Sequence, residues 1–297
     1  MMRFDIVTLF PGLFRGIFEH GVLRRALEGG LLHVQLHDLR SFTHDRHRTV
    51  DDRPFGGGEG MVLKPEPIAE AVASLNLAAR DDRRAQRQSV ILLSAQGRKF
   101  TQATARALRE LDRVVLICGR YEGVDERVSR LIADEELCIG DYVLSGGELA
   151  AAVVVDATMR LLPDVLGNAA STEFESFGAL SDAPPDLGGE REAGAAPRST
   201  HGAGGLLDYP HYTRPVEFLG VPAPGVLLSG NHAEIRRWRR RMALEKTLRN
   251  RPDLLETAVL TAEDRRILES LSSRPESSGP APAQERRERG TKDSDSV

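Results

Sequence analysis

Ile139-Gly140-Asp141-Tyr142-Val143-Leu144-Ser145-Gly146-Gly147-Glu148-Leu149 joins a short apolar strand to an apolar helix through a loop that packing alone does not require. Gly140, Gly146 and Gly147 allow backbone conformations closed to other residues and let a ligand reach the main chain, while Ser145 is placed to cap the helix that follows. Taken alone, the segment is either a strand-to-helix bend or a ligand loop. Two more glycine-bearing strand ends favour the ligand loop: Leu92-Leu93-Ser94-Ala95-Gln96-Gly97 and Ile117-Cys118-Gly119-Arg120-Tyr121-Glu122-Gly123.

Outward from these ends, apolar runs rich in Val, Ile and Leu recur at Phe4 to Leu9, Val34 to Leu39, Val90 to Leu93, Val114 to Cys118 and Leu137 to Ile139. Helical patterns separate most of them, at Leu13 to Leu27, Pro67 to Leu77, Thr101 to Leu111, Asp125 to Ile132 and Glu148 to Leu161. Continuous apolar strands alternating with helices predict an α/β domain over residues 1–165, with a mostly parallel sheet covered on both faces. Residues 166–205, broken by Pro184-Pro185 and Gly188-Gly189, are expected to form a flexible linker or insertion. Order is expected to resume over 206–272 as a small all-helical domain, with Asn231 and Glu234 marking one helix start and Thr261 and Asp264 another. Residues 273–297 have the composition of a disordered tail.

The chain has 297 residues, 40% of them hydrophobic and 28% charged, which suits a globular protein with a sizeable core. Its N-terminal apolar stretch is interrupted by Asp5 and predicts a strand, not a signal peptide. No apolar run is long enough to span a bilayer. Cys118 and Cys138 both lie in apolar runs and are expected to be buried thiols of a cytoplasmic protein. The net charge of −4 is unevenly spread: the stretch from Glu234 to Arg251 carries a formal +6. Concentrated positive charge on one helix of an otherwise acidic chain suits a local polyanion, with nucleic acid first among candidates.

In an open α/β sheet, ligands sit at the C-terminal strand ends. Neither G-x-G-x-x-G nor G-x-x-x-x-G-K-[ST] occurs, so a Rossmann dinucleotide site and a P-loop are both unsupported. Three loops converging on one small molecule is a different solution. His44, His47, Asp51 and Asp52 resemble metal ligands in spacing, but the interleaved Arg46, Arg48 and Arg53 repel a cation and suit an RNA backbone, so no metal is expected.

Four stretches taken in order are specific. Thr43-His44-Asp45-Arg46-His47-Arg48-Thr49-Val50-Asp51-Asp52-Arg53-Pro54, then Gly119-Arg120-Tyr121-Glu122-Gly123-Val124-Asp125-Glu126-Arg127, then Ile139 to Leu149, then Gly230-Asn231-His232-Ala233-Glu234-Ile235-Arg236-Arg237-Trp238-Arg239 together resemble the bacterial tRNA (guanine-N1)-methyltransferases. The resemblance runs from Met2 to about Leu271. It implies the SPOUT class, whose parallel sheet is threaded into a trefoil knot, a rare exception to unknotted connection. It further implies a homodimer that uses S-adenosylmethionine to methylate N1 of guanosine 37, next to the anticodon of tRNA.

By the same resemblance, the donor contacts fall on Leu93, Ser94, Gln96, Gly119, Tyr121, Glu122, Gly123, Ile139, Gly140, Asp141, Tyr142, Val143, Leu144, Gly146 and Gly147. Where the family has Asp-Ser-Phe, this chain has Glu175-Ser176-Phe177, so Glu175 becomes the implied base, longer by one methylene, with Glu173 a nearby competitor. Arg160 is the implied cation for charge developing on O6, and Asp51 an active-site neighbour. The loop Phe55-Gly56-Gly57-Gly58-Glu59-Gly60 is expected to wall the site. Arg236, Arg237, Trp238, Arg239 and Arg240 are expected to hold the anticodon arm through phosphate contacts. Two rival readings remain: an RNA-binding protein without methyl transfer, and a methyltransferase acting on another base.

Overall fold

The computed structural model describes residues 1–167, 175–178 and 204–273, and the chain divides into two compact units, Met1–Ala179 and Leu180–Val297. The expected insertion and tail, apart from a few flanking residues, lie outside the described residues, as does Glu173. In the first unit the strands are β1 (Met2–Thr8), β2 (Leu32–Asp38), β3 (Asp51–Asp52), β4 (Val62–Leu63), β5 (Gln88–Lys99), β6 (Arg113–Cys118) and β7 (Glu135–Cys138). The helices are α1 (Gly21–Glu28), α2 (Pro65–Ser74), α3 (Gln102–Leu108), α4 (Glu126–Leu131) and α5 (Glu148–Met159).

Five strands pair in the order β2-β1-β6-β5-β7, every pairing parallel. Alternate residues of each central strand enter different cores. Phe4, Ile6, Ile91, Leu93, Val114 and Leu116 pack with Leu23, Val154, Val155 and Met159 on one face, and Val7, Val90, Leu92, Val115 and Ile117 pack with Ile68, Val72 and Val128 on the other. Burial on both faces is why these strands have continuous apolar sequences instead of alternating ones.

The structure corrects three local expectations. The helix predicted over Leu13 to Leu27 is two pieces, a 3-10 turn at Pro11–Phe14 and then α1, because Gly16 takes φ +84° and no α-helix continues through that conformation. β5 does not stop at Leu93. It runs to Lys99, and its register against β7 breaks between Leu93 and Arg98. Gly97 makes that crossing possible, since a Cβ there would lie 2.5 Å from the Leu137 amide nitrogen. Ser145 does not cap α5; the capping position is Gly147, with no side-chain hydrogen bond.

One buried polar centre holds the sheet together away from the site. Asp5, with no exposed surface, accepts hydrogen bonds from Arg3 (2.8 and 2.9 Å) and Arg113 (2.7 Å) and pairs with His37 Nε2 (2.8 Å), so β1, β2 and β6 share one carboxylate.

In the second unit, β8 (Glu217–Phe218) and β9 (Val221–Pro222) form an antiparallel pair, followed by α6 (Gly225–Leu228), α7 (His232–Asn250), α8 (Leu254–Thr257) and α9 (Ala262–Ser272). The pair corrects the all-helical expectation. Leu219 (φ +51°) and Gly220 (φ +77°) make the two-residue turn with both dihedrals positive, a conformation usually signalled by Asn-Gly and not by Leu-Gly. Asn231 caps α7 through the Glu234 amide, and Thr261 with Asp264 forms a capping box on α9. No helix among the described residues is long and apolar enough to cross a membrane.

Burial pushes the Asp5 carboxyl up, but the hydrogen bonds from His37, Arg3 and Arg113 outweigh it and hold the group well below the ordinary 3.8. With the folded value below the unfolded one, its stabilisation is complete above about pH 4–5 and is lost as pH falls. Asp5→Asn should destabilise the chain by about 3–5 kcal/mol at pH 7. In thermal melts the variant should also lose part of the native protein's acid sensitivity between about pH 5 and pH 3.

Candidate active site

The loops after β6 and β7, together with the stretch of β5 at its register break, close on one cavity of about 240 Å³. Leu93, Ser94, Gln96, Gly119, Tyr121, Glu122, Gly123, Ile139, Gly140, Tyr142, Val143, Leu144, Gly146 and Gly147 all line it, so fourteen of the fifteen expected donor-binding positions come together. Asp141 is the exception. The Tyr142 amide donates to the Gly140 carbonyl at 2.9 Å, a tight turn with Asp141 at its apex, and its exposed carboxylate meets Lys99 Nζ at 3.1 Å.

Two cavity walls lie backbone against backbone. The Gly147 amide donates to the Gly119 carbonyl at 2.8 Å, and Arg120 forms a bridge with Gly146. A Cβ on Gly147 would sit 2.8 Å from Cys118 Cα and 3.0 Å from the Gly119 nitrogen. Glycine at 147 is thus required by proximity and not by its dihedrals. Tyr121, a cavity residue, is held at φ +61°, which is uncommon for a bulky side chain and marks a loop fixed by its surroundings. Cys118 and Cys138 are free and buried, and burial pushes the Cys118 thiol well up, which keeps it protonated and unsuited to nucleophilic work.

Around this cavity the structure adds residues that sequence reasoning passed over. Glu148, 2% exposed, accepts from Thr8 Oγ1 at 2.8 Å and from Arg120 Nε at 3.2 Å, and the Arg120 guanidinium lies 4.3 Å from the centre of the Phe10 ring. A separation of 140 positions between Thr8 and Glu148 leaves no local pattern to find. The isolated carboxylate inside the glycine-rich motif was the one available signal.

The expected catalytic residues are placed elsewhere. Arg160 ends α5, and its Nη1 donates to the Glu175 carboxylate; Glu175 holds Arg160 above the ordinary guanidinium value, chiefly through that hydrogen bond. Arg106 Nη2 donates to the Phe177 carbonyl at 3.0 Å beside them, fixing the short described piece that carries Glu175. Neither Arg160 nor Glu175 lines the cavity. At 1.5 Å per residue, α5 puts Arg160 about 18 Å along its axis from Glu148. Asp51 lies in β3, paired with Leu63 of β4, and is also outside the cavity lining. The Leu63 amide in turn donates to the Gly123 carbonyl at 3.0 Å, so Asp51 approaches the cavity only through β4. His44 pairs with Glu70 at 2.8 Å, and no cluster of three or more His, Cys, Asp or Glu side chains among the described residues could hold a metal. Phe55 is almost fully exposed, and Gly60 packs so closely on Glu122 that a Cβ would lie 2.5 Å from its Cγ.

On α7 the expected RNA-facing set divides. Arg237 is exposed, Arg236 is half-buried, Trp238 meets Tyr212 edge-on at 6.2 Å, and Arg239 lies 4.9 Å over Tyr209. Arg240 is a correction. Only 1% exposed, it makes a two-pronged pair with Asp264 of α9 at 2.8 Å on each arm, and a cation committed to an internal carboxylate does not reach a phosphate.

The sequence profile of the family described as tRNA (Guanine-1)-methyltransferase TrmD matches residues 2–257. Relatives named tRNA (guanine-N(1)-)-methyltransferase include one from Koribacter versatilis (strain Ellin345), 57% identical over 270 residues, covering 91% of this chain and 98% of the relative. Others are 51% identical in Geobacter metallireducens and 48% identical in Dictyoglomus turgidum, covering 91% of this chain and 98% and 97% of theirs.

Gly147→Ala tests the backbone contact between the cavity walls. Because the new methyl meets main chain and no movable side chain, it should cost about 1–3 kcal/mol of stability, read as a lowered thermal midpoint. Gly167→Ala, with nothing within 4 Å of its Cβ position, should leave the midpoint close to native.

Proposed function

The chain belongs to the tRNA (guanine-1)-methyltransferase family, and from that premise we propose that it transfers the methyl group of S-adenosylmethionine to N1 of guanosine 37 in tRNA. The observation carrying this reading is the convergence of two glycine-bearing strand-end loops, after β6 and β7, and the irregular stretch of β5 on one cavity. Its walls suit the donor: Leu93, Ile139 and Leu144 supply apolar surface, and the glycines bring main-chain donors and acceptors within reach of an adenine edge. Bound there, S-adenosylmethionine supplies an electrophilic methyl on sulfonium.

Glu175 and Arg160 suit the acceptor. A carboxylate beside a guanidinium presents an acceptor and a donor side by side, complementary to the adjacent N1–H and C6=O of guanine. Glu175 takes the N1 proton as the N1 lone pair takes the methyl, and Arg160 meets the negative charge that spreads to O6. The pairing of the two residues supports this arrangement, with glutamate serving where the family has aspartate.

The distance between that pair and the cavity supports a homodimer. The exposed stripe of α5 is Leu149, Val153, Asp156 and ends near Arg160, and Phe10 and Leu13 are also exposed apolar residues. Two copies of α5 packed antiparallel about a two-fold axis would cover Leu149 and Val153 and carry Arg160 and Glu175 of one chain toward the cavity of the other. The knotted threading is supported by the segment around β7, which touches both neighbouring loops: Gly97 lies on the Glu136–Leu137 backbone, and Gly147 on Cys118 and Gly119. In the second unit, Arg237 and the half-buried Arg236 of α7 would hold the anticodon arm by phosphate contacts while the guanine is taken out of its stack.

Methylation of unmodified tRNA bearing G37, followed with radiolabelled donor, should be lowered about 10²–10⁴-fold by Glu175→Ala, with donor affinity near native. No product from the native chain would overturn the proposed activity, and full activity in the variant would place the base elsewhere. Affinity for tRNA should fall steeply with salt, and Arg237→Glu should reduce the log–log slope by roughly 1. An unchanged slope would remove Arg237 from the interface.

A further inference from the structure

Arg120 is bound at one end only. Its Nε donates to Glu148, the Phe10 ring lies 4.3 Å from its central carbon, and the side chain is 18% exposed, so the guanidinium is held in place. Glu148 is itself fixed by Thr8, whose Oγ1 also accepts from the Phe10 amide at 2.9 Å. The outer nitrogens, Nη1 and Nη2, have no hydrogen-bond partner among the described residues, and the side chain lines the cavity. A guanidinium fixed through Nε, with its outer fork open on the cavity side, is prepared for an anion, and the planar fork fits a carboxylate through two parallel bonds.

Charge around the cavity points the same way. Among the described residues that line the cavity, Arg120 is the one basic side chain, where Glu122, Glu126 and Glu136 are acidic. S-adenosylmethionine carries one anionic group, the α-carboxylate, and two cationic centres, the ammonium and the sulfonium. We propose that Arg120, fixed by Glu148, Thr8 and Phe10, is the anchor for the α-carboxylate of the methyl donor, an inference that rests on the reading of this cavity as the donor pocket. The wall that carries Gly146 and Gly147 is thereby linked to the donor as well as to the neighbouring backbone, because Glu148 begins α5 directly after them.

Equilibrium binding of S-adenosylmethionine, its decarboxylated analogue and unmodified tRNA to the native chain and to Arg120→Gln tests the assignment. Loss of two charge-assisted hydrogen bonds should weaken S-adenosylmethionine by roughly 10- to 100-fold while changing the decarboxylated analogue by less than about 3-fold. Equal losses for both small molecules would overturn the proposal and leave Arg120 a positioning residue. Unchanged donor affinity with weakened tRNA would overturn it in favour of an RNA phosphate. If the native chain binds neither small molecule, the donor-pocket reading fails and the anchor with it; if it binds both and the variant does not discriminate between them, only the anchor fails. Should Arg120→Gln fail to fold because Glu148 is left charged and buried, the double variant Arg120→Gln/Glu148→Gln removes both charges, and the same comparison decides.

Discussion

The contact on which the candidate site depends is the approach of Gly147 to Cys118 and Gly119, sealed by the 2.8 Å hydrogen bond from the Gly147 amide to the Gly119 carbonyl and continued by the bridge between Gly146 and Arg120. Main chain lies on main chain there, so the cavity wall is built from groups that cannot change rotamer. The neighbouring crossing of Gly97 over the Glu136–Leu137 backbone has the same character. Side chains enter this frame afterwards: Glu148 is buried because α5 starts immediately beyond the contact, and its charge is offset by Arg120 from the opposite loop. A buried carboxylate without that cation and without the Thr8 hydroxyl would cost several kcal/mol.

Helix α5 separates two kinds of chemistry along one axis. Its first turn reaches the cavity through Ala150 and through Glu148, which holds the lining residue Arg120; its middle buries Ala151, Val154, Val155 and Met159 against the sheet, and its end carries the Arg160–Glu175 pair. Because the helix is rigid and packed along its length, these ends cannot approach one another within one chain. This is the physical ground for proposing that two copies are needed. It also gives the exposed Leu149 and Val153 a purpose that solubility would not give them.

The arginines of α7 illustrate how a formal charge count misleads. Arg240 sits in the same run as Arg237, yet the helical turn points it at Asp264, an acid that also closes the capping box of α9. That carboxyl is pushed up by burial but more strongly lowered by Arg240 and by Thr261, so it is an internal counter-ion. What remains for a polyanion is a smaller set, with Arg239 already lying over Tyr209.

Much of this protein was written locally. The central strands β1, β5 and β6, buried on both faces, announce themselves as largely apolar runs, helix starts at Asn231 and Thr261 show their caps, and glycine-bearing segments near the ends of those runs mark the cavity, because each is a pattern of neighbours in the chain. The Leu219-Gly220 turn, the length of β5 and the break at Gly16 carry weaker local signals, since tertiary contacts select among conformations that short segments allow equally. The sequence by itself determined the parallel α/β class, the family and the loops that meet. Only the tertiary structure decided that Thr8, Arg120 and Glu148 form one cluster, that Arg160 binds Glu175 away from the cavity, and that Arg240 is internal. Those pairings join residues far apart in the chain, where partner and direction are set by packing and not by spacing.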